Sequence, residues 1–252
     1  MNWADTILGK PEEWNGLTIY PVLMRDYPLF LTAKESITAL QQSWPFPWST
    51  VPYLEGLIGM GLFPRLCAML KLSLRLPDED NLPIYLVTES PHPFDKGGSE
   101  KITSLLVVQG EKRVEITKKN FGSLRELLAL QNGLELPDER ANLELLEAQQ
   151  DLSSGGPPLK ADLEDLIASV ALKSHSGPND ILGWTVRRFQ RMERAIDRSE
   201  GFCMANITLA AGGKFKGGNP YPSWKFDREE GLVGVESLSA LSGRLSDSVK
   251  QK

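Results

Sequence analysis

The sequence predicts a mostly helical α+β protein, and three observations carry that expectation. Apolar residues recur at spacings of 3 and 4 in several segments. Three β-rich runs cluster between residues 84 and 117, and a Ser/Gly/Pro-rich stretch, SSGGPPLK, parts two helical portions. The expected organisation is an N-terminal helical domain at 1–152 with a small antiparallel sheet at about 84–117, and a linker at 153–160. A helical C-terminal domain follows at 161–211, then an extended loop and amphipathic docking tail at 212–252. A chain of 252 residues can bury a real core in one large or two small domains.

Taken in order, Asn15-Gly16 signals a turn before the short strand LTIYPV, because both residues tolerate positive φ. Asp26 is expected to cap a helix whose Phe30, Ala33, Ile37, Leu40 and Trp44 form one apolar stripe. WPFPWSTVP ends that helix, since Pro45 and Pro47 lack a donor and force the preceding residues extended. The apolar stretch from Val51 to Leu76 is broken by Glu55, Arg65, Lys71, Arg75, Pro52 and Pro64, whereas a membrane span needs about 20 mostly apolar residues in a row. Two buried helices meeting near Gly61 to Pro64 are expected there, and no membrane partner.

The period then changes. IYLVT (Ile84 to Thr88), ITSLLVV (Ile102 to Val108) and KRVEIT (Lys112 to Thr117) read as antiparallel strands, the last two joined by a tight turn at Gly110. Asn120 is expected to cap the next helix, with Leu124, Leu127, Leu128 and Gln131 buried and Gly133 as its stop. LPDERANLELLEAQQDL reads as an acidic helix leading to the linker. Beyond it, Leu163, Leu166, Ile167 and Val170 share one helix face, and the helix WTVRRFQRMERAID follows Pro178.

Composition narrows the function. A net charge of -5 and a pI near 5.3 argue against general nucleic-acid affinity. Cys67 and Cys203 are too few for a disulfide scaffold and read as buried free thiols in a reducing compartment. The N-terminus MNWADTILGKPEEW lacks the basic flank and apolar run of a secretory signal, so the cytoplasm of the producing cell is expected. No phosphate-binding glycine loop, paired-His metal helix, CxxC pair or nucleophile elbow is present, so neither metal nor cofactor is expected. GGKFKGG lacks the strand before and helix after that a phosphate cradle requires. His92 with Asp95 is the one pair open to a hydrolase reading, but it lies in a Pro- and Gly-rich loop without a second His or Cys. His175 beside Ser174 and Ser176 lacks the orienting acid and oxyanion hole of a catalytic dyad.

The residues most suggestive of recognition lie from Asn179 to Asp227. Arg187, Arg191, Arg194 and Arg198 occupy one edge of a helix, with Phe189, Met192 and Ile196 on the other. The stripe admits three readings: a solvated face, a partner for the acidic helix at 136–152, or a dock for an acidic protein or nucleic acid. Beyond it Lys214, Phe215, Lys216, Tyr221, Trp224 and Phe226 interleave basic and aromatic side chains, which suits base stacking or pinning an extended tail onto a groove. Leu232, Val235, Leu238, Leu241, Leu245 and Val249 then draw an amphipathic stripe weakened by Gly234 and Gly243, as expected of a tail ordered only against a surface.

The blocks NGLTIYPVLMRDYPLF, LRELLALQNGLELPDERANLELLEAQQDL, WTVRRFQRMERAIDRSEGF and KFKGGNPYPSWKFD resemble a family of helical proteins from tail-gene modules of bacteriophages of Gram-positive bacteria, similar to tail assembly chaperones. The resemblance covers most of the chain in order, and WPFPW and SSGGPP depart from it. It implies a non-enzymatic protein of the host cytoplasm that binds apolar tail components. The tape-measure protein leads these, with the tail tube as a further partner and a homo-oligomer left open. On that reading Arg187, Arg191, Arg194, Arg198, Phe215, Tyr221, Trp224, Phe226, Leu238, Leu241 and Leu245 bind partners. The alternative within the same biology is a structural component of the tail or baseplate, present in the virion.

Overall fold

The Asn15-Gly16 pair takes the turn its residue types favour: φ is 48° at Asn15 and 92° at Gly16, closing a two-residue hairpin between β1 (Glu12–Trp14) and β2 (Leu17–Ile19). The computed structural model that shows this describes residues 3–77, 83–89, 101–139, 162–215 and 218–226. Its remaining helices and strands are α1 (Trp3–Ile7), α2 (Tyr27–Ala33), α3 (Glu35–Thr38), α4 (Tyr53–Gly59), α5 (Phe63–Leu74), β3 (Ile84–Glu89), β4 (Lys101–Gln109), β5 (Lys112–Thr117), α6 (Phe121–Asn132), α7 (Leu163–Ser174), α8 (Pro178–Leu182) and α9 (Val186–Ala210). The fold is α+β and mostly helical, as the residue patterns predict.

By contacts the chain forms two compact units, composed differently from the expected domains. One joins Met1–Pro137 to Ile167–Met192, and the other joins Asp138–Leu166 to Glu193–Lys252. In the first unit, Val186 donates its backbone N–H to the Val22 carbonyl and Met24 donates to the Trp184 carbonyl, each at 2.9 Å. That short antiparallel pairing of Thr185 with Leu23 ties residues of the expected C-terminal domain to the N-terminal one. The expected linker at 153–160 lies outside the described residues, as does most of the acidic helix at 136–152.

The core of the first unit forms where α2 and α3 pack on α5, burying Phe30, Ala33, Ile37, Leu66, Met69 and Leu70. The single helix expected from Asp26 to Trp44 is broken. α3 stops at Thr38 and Ala39 is extended, with ψ 135°. The break is supported from afar: Arg125 donates from Nε to the Ile37 carbonyl at 2.7 Å and from Nη2 to the Ala39 carbonyl at 3.3 Å. The same guanidinium lies 3.7 Å over the Tyr53 ring, whose hydroxyl also reaches the Ser36 and Ala39 carbonyls. Asp26 precedes α2 without a side-chain capping bond and lies 3.6 Å from the Arg25 guanidinium instead. Among the described residues no single helix is long and apolar enough to cross a membrane. α4 and α5 meet at 119°, with Gly61 at φ 74° in the break between them and Pro64 in the first turn of α5.

β3, β4 and β5 form an antiparallel sheet in that order, with Gly110 at φ 62° in the turn. Leu105, Val107 and Ile116 are fully buried on one face. At the end of β4 the Gln109 amide imitates a backbone strand: its Oε1 accepts from the Thr18 N–H at 2.8 Å while Nε2 donates to the Thr18 carbonyl at 2.9 Å. α6 buries Leu124, Leu127, Leu128 and Gln131 as predicted and ends at Gly133 with φ 67°. Asn120 does not cap α6; its side chain turns back to β5, accepting from the Thr117 N–H and donating to the Glu115 carbonyl. Of the expected inner face of α7, only Val170 is buried, with Leu163, Leu166 and Ile167 partly exposed. The thiols correct the expectation of burial, for Cys67 is half-buried and Cys203 is exposed. Burial pushes the Cys67 thiol pKa up to about 11.

Candidate functional site

The arginines of α9 do not act as one stripe. In the first unit Arg187 donates to the carbonyl of Leu130 in the last turn of α6, where a helix presents its partial negative end. Burial, with the Arg191 charge one turn away, lowers the Arg187 pKa. Arg187 is therefore a structural clamp between two elements of that unit. Phe189 is fully buried on the opposite face. Arg188, outside the predicted stripe, lies 4.1 Å over the buried Trp184 ring. Arg191 is exposed.

In the second unit, Arg194 is exposed and Arg198 half-exposed. Burial, then the Asp197 charge, raises the Glu193 pKa, and Arg194 offsets part of the rise. α9 ends at a glycine pair: Gly213 donates to the Thr208 carbonyl and Gly212, at φ 85°, to the Leu209 carbonyl. The opening glycines of GGKFKGG thus stop a helix rather than hold a phosphate.

The chain then comes back along α9. A Cβ at Gly201 would lie 2.7 Å from the Tyr221 ring, so the ring rests directly on the helix backbone there. Arg198 donates from Nε to the Trp224 carbonyl at 3.1 Å. Local bonds shape the segment: Asn219 Oδ1 accepts from the Tyr221 N–H, and Ser223 Oγ accepts from the N–H groups of Lys225 and Phe226. Trp224 remains 55% and Phe226 72% exposed, so two aromatic faces are displayed on a fixed backbone. Phe215 is half-buried.

One feature escaped the residue patterns. The last turns of α9 leave Met204 63% and Ile207 62% exposed, with Leu209 and Cys203 also outward and only Ala205 buried. The signal is visible in CMANITLA, an apolar helix end without a charged residue. The structure thus brings Arg198, Tyr221 and Trp224 together on α9 and separates them in role from Arg187. Leu238, Leu241 and Leu245 lie outside the described residues, as do His92 and Asp95. His175 is exposed in a turn at φ 54°. Among the described residues no three or more His, Cys, Asp or Glu side chains are grouped to hold a metal ion. What the arrangement offers chemically is apolar and aromatic contact beside guanidinium groups. No protein-family model, curated protein or solved structure matches the chain.

Proposed function

We propose that the protein is a phage tail assembly chaperone, or a closely associated tail-morphogenesis factor, that binds apolar segments of tail components reversibly and without catalysis. The observation that carries this reading is the surface of the second unit, where Trp224 and Phe226 stay exposed on a segment held to α9, and Met204 and Ile207 of the same helix are exposed as well. Such a surface suits a helical or extended partner segment: apolar side chains supply the area, aromatic rings supply anchors at low entropic cost, and Arg194 and Arg198 select acidic flanks. The resemblance of four sequence blocks to tail-module proteins supplies the partner class, the tape-measure protein before the tube encloses it. Co-expression with the tape-measure protein of the same phage is the test. The soluble fraction of that protein rises when the chain is present, and the chain is absent from finished particles. A chain retained in particles would make it a structural component, and a tape-measure protein equally soluble without it would remove the chaperone reading.

A further inference from the structure

Within the first unit, β3 is the outer strand of the sheet β3-β4-β5, and among the described residues no strand pairs with its other side. Val108 donates its backbone N–H to the Pro83 carbonyl at 2.9 Å, which fixes the alternation of the strand. Pro83, Tyr85 and Val87 therefore aim their backbone groups at β4, and Ile84, Leu86 and Thr88 aim theirs away from it. At the register shift between Val87 and Thr88 the partner passes from Ser104 to Ile102, so the extra residue lies in β4 and β3 keeps its alternation. Ile84 and Leu86 lie opposite the fully buried Val107 and Leu105, and Tyr85 lies opposite Leu106, yet Tyr85 is 53% and Leu86 40% exposed. The edge thus shows apolar side chains on both faces of the sheet, and IYLVT holds none of the charges or internal prolines that ordinarily blunt an edge strand.

We propose that β3 is a homodimerisation edge, pairing antiparallel with β3 of a second copy about a two-fold axis at Leu86. The strand is self-complementary in that register. Leu86 meets Leu86 and Ile84 meets Thr88 of the second copy, so every residue that aims outward enters a hydrogen-bonded pair, whereas an axis at Ile84 or Thr88 would draw in residues beyond the strand. Tyr85 meets Val87 in the closer pairs between them, an aromatic ring on a β-branched side chain. Glu89 falls opposite Pro83, so no like charges meet. The product is one continuous sheet running β5-β4-β3 into β3-β4-β5 of the second copy. Its interface is a single pair of short strands, below the roughly 1,200 Å² of a stable dimer, so association is weak, with a Kd on the order of 100 μM.

Sedimentation velocity of the full chain from about 10 to about 500 μM tests the pairing, beside Leu86→Pro and beside Met204→Asp plus Ile207→Asp. Because the Leu86 N–H faces away from β4, proline there removes a donor only from the outer side of the strand. The unaltered chain and the α9 variant should pass from monomer to dimer across that range, while Leu86→Pro associates at least about tenfold more weakly. Leu86→Lys sets like charges across the two-fold axis and should weaken association to the same extent, which keeps the test valid should the proline variant misfold. Hydrogen exchange locates the contact, for the Ile84, Leu86 and Thr88 amides should exchange several-fold more slowly at the highest concentration than at the lowest. A monomer at every concentration or a dimer undiminished in Leu86→Lys overturns the proposal. Exchange at those amides that does not change with concentration also overturns it, because the edge would then be covered within one chain or not at all. No tail component enters the measurement, so its failure leaves the chaperone reading standing.

Discussion

Arg198 donates from Nε to the Trp224 carbonyl oxygen at 3.1 Å, fastening an aromatic segment to the helix that precedes it. Less than one turn further along α9, the Tyr221 ring occupies the space that a side chain at Gly201 would need. These two contacts hold the segment in place while its Trp224 and Phe226 rings stay exposed.

Replacing Gly201 separates helix stability from segment position. Gly201→Ala adds about 1 kcal/mol of helix propensity, yet its Cβ would lie 2.7 Å from the Tyr221 ring and must push it away. The melting temperature should stay level or rise, while trypsin cleavage after Lys225 accelerates several-fold. Cleavage at the original rate would show that Tyr221 does not hold the segment.

Charge reversal should divide the arginines. Arg187→Glu removes the bond to the Leu130 carbonyl and sets a carboxylate at a helix C-terminus, costing about 1–2 kcal/mol. Arg191→Glu with Arg194→Glu alters exposed positions and should change stability by less than about 0.5 kcal/mol. Chemical denaturation of the two variants measures the difference, and equal losses would refute the division.

The two tryptophans flanking α9 give a parallel contrast. Trp184 is 7% exposed, and Trp184→Ala should cost about 3 kcal/mol through the cavity it leaves. Trp224→Ala should shift stability by less than about 0.5 kcal/mol while weakening partner binding. Denaturation midpoints decide it, and a small loss at Trp184 would contradict its place in the core.

Cys67 should betray its surroundings by its pH dependence. Only the thiolate is alkylated, and burial pushes this thiol to about 11. In a Cys203→Ser background the iodoacetamide rate should therefore climb about tenfold per pH unit from roughly pH 8 to 10, where an ordinary thiol of pKa about 8.5 levels off. A plateau near pH 9 would show that the site is wetter than its burial indicates.

Much of the fold is legible where its determinants are local. The three strands between residues 84 and 117 follow from β-branched runs and a glycine turn, and the buried face of α6 follows from helical spacing. The failures arise where a distant group decides. The helix break at Ala39 depends on Arg125 and Tyr53, and the pairing of Val22 with Val186 joins segments far apart in sequence. Asn120 reads as a cap by type, but β5 supplies closer backbone groups. At the site, the basic and aromatic residues were visible, whereas the division of labour between Arg187 and Arg198 depended on which carbonyl each reaches.

The central claim is that the apolar end of α9, with Trp224, binds a segment of the tape-measure protein. Titration of the full chain with peptides tiling that protein measures it most directly, comparing the unaltered chain with Met204→Asp plus Ile207→Asp and with Trp224→Ala. The account predicts saturable binding to a small set of amphipathic peptides, weakened at least about tenfold, or about 1.4 kcal/mol, in both variants. Binding of equal strength in all three chains, or to none of the peptides, would contradict it.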